Sequence, residues 1–492
     1  MKFVLFTGIV IFAFSTLNLC MAQDEPIKLL AENPHYFEFN GKPLALITSA
    51  EHYGAVLNES FNYEEYLHTL KDEGMNYTRI FMGSYFEIPS KSFSIQHNTL
   101  APEADKITVP WLTSAENGLI KYDWNSTNPA YYERLNKFME LAQKLDIIVE
   151  VTLFSSIYND DHWEMNPQNP KNRLGDSASL DRELVHTAEN GELLSLQKTY
   201  VSNLVKELNG YNNFFFEIQN EPWSDRPQTA LNIANTYALD GPNWQVKVDV
   251  ADEKSLAWQE IIAETISSTE TNLPKKHLIA QNYSNFKAPL TSVSPHISIL
   301  NFHYNWPESA TWNYHWNRVI GFDESGFAGS EDMVYRRQAW AFMLSGGGLF
   351  NNLDYSFFAG KENGTGANEA PGGGSKALRK ELMILSEALH SIDLKSAKPA
   401  QSYLLAAPGM IGYMLSTEDE SWLAYFIDAG ESNSQVIIHA EDHTSFNVES
   451  IDTLTGETKY LGNVTTNNGK LEFPVSLING EIALKITPTK EF

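Results

Sequence analysis

Helical and strand patterns alternate along some 350 residues of this chain, and that alternation restricts its fold more than any other feature. Short runs such as "IIVEVTLFS" (147–155) and "NNFFFEIQN" (212–220) are apolar along most of their length, which suits strands buried on both faces. Between them lie stretches with helical spacing. "NYEEYLHTLKDEG" (62–74) ends on glycine, and "NPAYYERLNKFMELAQKLD" (128–146) opens with Asn128 as a cap and Pro129 at the first helical position. Counting "LALITSA" first and "GLFNNLDYSF" last gives eight strands, the number that closes a β/α barrel. An open doubly wound sheet is the competing arrangement, but no glycine-rich phosphate loop follows the first strand. The expected fold is therefore α/β, a (β/α)8 TIM barrel. A short hairpin turning at Asn40-Gly41 should precede it.

From about residue 396 the pattern changes. "SYLLAAPG", "IGYMLST", "SWLAYFIDA", "SQVIIHAE", "FNVESIDTLTGE" and "EIALKITP" are short strands with no helix between them, as in a small all-β sandwich. The leader "MKFVLFTGIVIFAFSTLNLCMAQ" has a lysine, an apolar run and a small-residue cleavage pattern, the signature of a signal peptide. The domains are thus read as signal peptide 1–22, barrel 23–395 and sandwich 396–492. Localisation is expected to be secreted or periplasmic; a lipid anchor through Cys20 is the weaker case, because Leu19 stands where a small residue belongs. No later segment reads as a membrane span. Cys20 is the only cysteine, so the mature chain should have no disulfide, thiolate nucleophile or cysteine-bound metal. A net charge of −27 argues against nucleic acid as a partner.

In such a barrel, chemistry belongs at the C-terminal ends of the strands. "FFFEIQNEPW" (214–223) ends a buried strand on Asn220-Glu221, and Pro222 stops the ladder. Strict alternation would put Glu217, Gln219 and Glu221 on one face, with Phe216, Ile218 and Asn220 on the other. A second carboxylate, Glu324, ends "VIGFDESG" three β/α units later. Two carboxylates flanking one cleft are what glycosidic bond cleavage requires. Glu150 and Glu217 sit mid-strand and are expected to make buried hydrogen bonds. The histidines show no metal-ligand spacing, and neither metal nor cofactor is expected.

At these residues the chain resembles the clan A glycoside hydrolases, the superfamily that includes family 5 cellulases and mannanases. Their signature is Asn-Glu at the end of the fourth strand and Glu at the end of the seventh. The resemblance covers the barrel and implies a retaining mechanism with Glu221 as acid/base and Glu324 as nucleophile. It further implies that Arg79 of "NYTR" holds the nucleophile ionised and that Asn220 binds the sugar 2-hydroxyl. "NFHYNW" would bring His303, Tyr304 and Trp306 beside the nucleophile, although family 5 usually has His-x-Tyr where this chain has the pair adjacent. Glu221 is expected to be protonated and Glu324 ionised.

Further substrate-binding candidates are Glu51 and His52 at the first strand's end, Asp354 at the eighth, and Trp163 and Trp223 as sugar platforms. The insert "FEIPSKSFSIQHNTLAPEADKITVPWLTSAENGLIKYDW" would wall the cleft. The tail resembles the C-terminal β-sandwich of bacterial polysaccharide-degrading barrels. The expected activity is β-glycoside hydrolysis, with a polysaccharide or its oligosaccharides as the partner. A transglycosylase on the same site and a non-catalytic carbohydrate-binding barrel remain as alternatives. Sugar, linkage, endo or exo action and oligomeric state are open at this point.

Overall fold

The computed structural model describes residues 25–489 apart from 90, 117, 176, 177, 240, 242, 368, 431 and 432. The leader 1–22, with Cys20, lies outside the described residues. Eight parallel strands form a nearly closed barrel: β1 (Leu46–Ala50), β2 (Tyr77–Phe81), β3 (Ile148–Ser155), β4 (Phe214–Asn220), β5 (Ile279–Asn285), β6 (Ile299–His303), β7 (Val319–Ser325) and β8 (Leu349–Leu353). Ladder hydrogen bonds run from β2 through β3 to β8 and on to β1. The seam between β1 and β2 is laced by Asn76 instead. Its side chain accepts from Ile47 N at 2.9 Å and donates to Ala45 O at 2.9 Å.

The helices begin where the sequence provides caps. Asn62, Asn128, Asp252 and Ser375 each accept a first-turn backbone N–H, satisfying donors that a helix N-terminus leaves free. Tyr66, Leu67 and Leu70 on the first helix and Leu135, Phe138 and Met139 on the second press against the barrel wall. Among the described residues no helix is long and apolar enough to cross a membrane.

The two barrel ends differ. At the end where the strands start, the hairpin Phe37–Phe39/Lys42–Leu44 places Phe37 and Phe39 on Leu46, Tyr77, Ile148, Phe215, Ala280, Ile299, Val319 and Leu349. That apolar plug seals the bottom and leaves the strands' C-terminal end for chemistry. Above the plug the interior turns polar: Tyr77 OH and Asn301 Nδ2 both donate to Glu150. Gly321 makes room in this layer, because a Cβ there would sit 2.1 Å from Asn301 Oδ1.

Two insertions rise from the open end. The segment after β2 contains the hairpin Trp111–Glu116/Leu119–Thr127. A second hairpin, Gln228–Asn232/Lys247–Val250, follows β4 and pairs antiparallel with β5 at Ser284, extending the sheet to ten strands. Only the first insertion was legible beforehand.

The C-terminal module consists of a six-stranded and a three-stranded antiparallel sheet around Trp422, Phe426, Val436, Phe446, Leu471 and Ile486. The strands Thr458–Thr465 and Lys470–Ser476 add to those expected from sequence. Trp340 of the helix Asp332–Met343 stacks on Tyr425 at 5.3 Å. Arg336 of that helix donates to Glu481 at 2.5 Å and to Glu381 at 2.7 Å. The buried pair and the stacked rings fix the module to the barrel's outer helices, and no residue of the module lines the pocket described next.

Candidate active site

The strands' C-terminal ends surround a pocket whose lining includes Asn220, Glu221, Tyr304 and Glu324. Glu221 follows β4 with φ 49° and ψ 51°, the left-handed region that costs a non-glycine residue energy and concentrates at functional sites. That turn aims the carboxyl inward.

Side-chain alternation in β4 departs from the expected pattern. Glu217 and Asn220 both face Arg79 inside the barrel, whereas Gln219 points out to Asp225, donating to it at 2.8 Å. The paired strand β3 departs in the same place: Thr152 and Ser155 face in and Phe154 packs outside against Trp258. The phase slips by one residue in both strands together, and the 65-residue register between them is unchanged. Asn220 thereby joins Glu221 instead of facing away from it.

Arg79 is fully buried and ties the layer together. It donates to both oxygens of Glu217, at 2.8 and 2.5 Å, to Asn220 Oδ1 at 2.8 Å and to Glu324 Oε2 at 3.2 Å. Tyr304 OH donates to Glu324 Oε1 at 2.8 Å and Tyr53 OH to Oε2 at 3.2 Å, so three donors converge on this carboxyl. On the other side, Tyr158 OH donates to Glu221 Oε2 at 2.8 Å. His303 Nδ1 is 3.1 Å from Glu221 Oε1 and 3.6 Å from Glu324 Oε1, with Nε2 3.3 Å from Asp323. Each glutamate brings a carboxyl oxygen to within 4.8 Å of the other and of a His303 nitrogen.

The charge distribution of the site differs from the expected one. Burial pushes the His303 imidazole down, but Asp323, Glu324 and Glu221 outweigh it and hold the ring well above its ordinary value. Burial also lifts Glu221, yet its bonds to charged His303 and to Tyr158 leave it below the usual carboxylate range. Glu324 stays above that range because burial and the Glu221 charge exceed the pull of His303 and Arg79. The expectation of a protonated Glu221 is therefore not met, while Glu324, although lifted by burial, keeps three donors that favour its ionised form. The proton rests on His303, one 3.1 Å hydrogen bond away from Glu221.

The remaining candidates separate into two groups. His52 lines the pocket. Glu51 is fully buried and spends its oxygens on the backbone N–H groups of Gly54 and Ala55, at 3.0 Å each; burial raises it to about 7. Asp354 is held by Arg379 at 2.6 Å and by Ser49 at 2.8 Å. Trp223 is buried with its ring edge-on to His303 at 5.2 Å, a backing for the imidazole that leaves no face for a sugar. Trp163 is buried and Trp306 exposed, and neither lines the pocket; Lys287 Nζ lies 4.6 Å over the Trp306 ring.

Sequence reasoning missed Tyr53, Tyr158, Glu87 and Tyr355, which loops bring to the pocket, and Trp244 of the second hairpin. Trp244 is half-exposed and packs against Tyr304 at 5.3 Å and Phe327 at 5.6 Å on the rim. Its one advance signal was a tryptophan in a polar, glycine-containing stretch.

No family model and no curated protein matches the chain by sequence. Solved structures match by fold. A putative glycoside hydrolase from Bacteroides vulgatus superposes with a TM-score of 0.66 at 12% identity, covering 95% of this chain and 83% of that one. A protein described as a glycoside hydrolase gives 0.61 at 12% identity, over 95% and 98% of the two chains. A family 5 glycoside hydrolase from Bacteroides vulgatus gives 0.59 at 12% identity, over 94% of each. The chain thus shares with glycoside hydrolases the barrel and, at this coverage, the extension that follows it.

Proposed function

We propose that the chain is a retaining glycoside hydrolase. The observation that carries this reading is the approach of Glu221 and Glu324 to within 4.8 Å across one pocket, with the Arg79 guanidinium bonded to Glu324. Carboxyls about 5 Å apart suit double displacement; an inverting pair stands wider to admit a water. Arg79, Tyr53 and Tyr304 supply the donors that favour an ionised Glu324 as nucleophile. Glu324 attacks the anomeric carbon while Glu221 gives a proton to the departing glycosidic oxygen. Glu221 obtains that proton from His303 Nδ1, and the imidazole then stays neutral with its remaining proton on Nε2, 3.3 Å from the Asp323 carboxylate. In the second half, Glu221 takes a proton from water, the hydroxide adds to the anomeric carbon, and Glu324 leaves as carboxylate. Asn220, oriented by Arg79 and by its own bond to Tyr158 OH, is placed to hold a hydroxyl beside the reacting carbon.

The similarity of fold to glycoside hydrolases and the aromatic pocket support a carbohydrate polymer or its oligosaccharides as substrate. The apolar leader supports export. Product release from β-glucans, mannans, xylans, galactans and aryl β-glycosides tests the reading, with Glu221→Gln and Glu324→Gln alongside the wild type. Cleavage of at least one substrate, lost by several orders of magnitude in both variants, is the expected outcome. Full activity in Glu324→Gln would remove the nucleophile assignment.

A further inference from the structure

The pocket has a closed end that double displacement does not employ. Glu87, from the insertion after β2, sits there almost wholly buried. Asn98 Nδ2 donates to its Oε2. Its Oε1 accepts from Tyr85 OH at 3.5 Å and stands 3.6 Å from His52 Nε2, so both contacts are long and weak. Two further polar atoms of this lining, His52 Nδ1 and Tyr355 OH, are buried with no hydrogen-bond partner among the described residues. Buried polar atoms are normally paired, so several unpaired ones around a single cavity mark a place for ligand hydroxyls.

The walls explain why this end is blind. The insertion lies directly on the loop after β1: a Cβ on Gly54 would sit 2.0 Å from Thr99 O, and Asn58 Nδ2 donates to that same oxygen at 3.0 Å. It then reaches the loop after β8, where His97 stacks on Phe358 at 4.4 Å and Gln96 Nε2 donates to Glu369 at 2.9 Å. The opposite rim carries the half-exposed Trp244. Among the described residues no lysine or arginine lines the pocket, and burial raises Glu87 to about 8 and lowers His52 to about 3, so both are neutral near pH 7.

We propose that this blind end is the subsite for the non-reducing terminal residue of a neutral β-glycoside, with Glu87, His52 and Tyr355 holding its ring hydroxyls, so that cleavage proceeds from chain ends. This rests on the glycosidase reading and narrows it. Uronosyl and sulfated residues lack a countercharge here, and a polymer interior would have to pass through the wall formed by the insertion.

The test uses the full chain with aryl β-glycosides and with neutral oligosaccharides reduced at their reducing ends. The wild type is expected to release a free monosaccharide as first product from the unreduced end. Glu87→Gln and Tyr355→Phe are expected to lower kcat/KM on the same substrate by about tenfold or more, the scale of a hydrogen bond lost to a bound hydroxyl. Tyr355→Phe removes a hydroxyl that has no hydrogen-bond partner among the described residues, so its melting temperature should stay at or above the wild-type value and exclude misfolding as the cause. Internal cleavage by the wild type overturns the proposal and leaves the glycosidase reading intact. So does wild-type-like kcat/KM in both variants. If the wild type cleaves nothing, the glycosidase reading fails separately. Calorimetry with the same neutral sugars then decides the subsite: binding that Tyr355→Phe weakens supports it, and no binding, or binding that Tyr355→Phe leaves unchanged, overturns it.

Discussion

Replacing Tyr304 by Phe removes one atom from the site and should move the pH dependence in a direction the geometry fixes. The hydroxyl donates to Glu324 Oε1 at 2.8 Å. A hydrogen bond to a charged group contributes about 1.5–3 kcal/mol, which at 1.36 kcal/mol per pKa unit corresponds to roughly one to two units. Glu324 keeps two donors on Oε2, from Arg79 and Tyr53, both at 3.2 Å, so the lower end applies. The donor stabilises the ionised carboxyl; its loss raises the Glu324 pKa. The nucleophile must be ionised, so the acid limb of kcat/KM should move about one unit toward alkaline pH. Well below that limb the rate should fall about tenfold beyond any loss on the plateau. The ring retains its packing on Trp244, Phe286 and Phe327, so the loss of folding stability should stay near the low end for such a bond, about 1.5 kcal/mol. A pH–rate profile of the two proteins on one aryl glycoside is the assay. An unmoved acid limb in an active, stable variant would refute the role given to Tyr304 and weaken that given to Glu324.

Three other outcomes follow from the same contacts. Arg79→Met strands Glu217 inside the barrel without its fork of donors and should cost about 3–5 kcal/mol in urea unfolding, besides abolishing turnover. Glu51 has its folded pKa raised by burial from 4.5 to about 7, so its contribution to stability is complete below 4.5 and fades as pH rises through 7. Wild type should lose up to about 3 kcal/mol from that group between pH 4.5 and pH 8, and melting curves of Glu51→Gln should lack this component. Trp340→Ala empties the contact beneath Tyr425 and should cost about 3–5 kcal/mol, separating module and barrel into two calorimetric transitions where the wild type shows one.

The barrel was legible because buried parallel strands need apolar residues on both faces and each is followed by a signal that ends it. Glu221 and Glu324 were legible for a related reason: each carboxylate closes an apolar run at the strand end where a barrel of this kind opens. What escaped is what depends on geometry across the chain. The phase slip that turns Asn220 inward leaves no mark in "FEIQN", since Gln219 and Asn220 are equally polar. Tyr53, Tyr158 and Tyr355 lie in loops, where no periodicity assigns direction, and Glu87 looks like any acidic loop residue until Asn98 and Leu100 bond to it. The hairpin carrying Trp244 is short and polar, and one of its strands joins the sheet at a single residue, Ser284. Asp354 reads as a strand-end carboxylate like Glu324; only the distant Arg379 distinguishes it by claiming its charge. The charge balance of this pair of carboxyls was equally hidden, because it turns on His303 standing nearer to Glu221 than to Glu324.

The central claim, a glycosyl–enzyme ester on Glu324, is tested most directly by trapping it. A 2-deoxy-2-fluoro glycoside with a good leaving group, built on whichever sugar the aryl glycoside panel identifies, slows the second step more than the first. Intact mass and peptide mapping then locate the sugar. The account predicts one adduct per chain, on the peptide carrying Glu324, formed in the wild type and absent in Glu324→Gln. An adduct on Glu221, or inversion of the product anomer with no adduct while substrate is consumed, would contradict it.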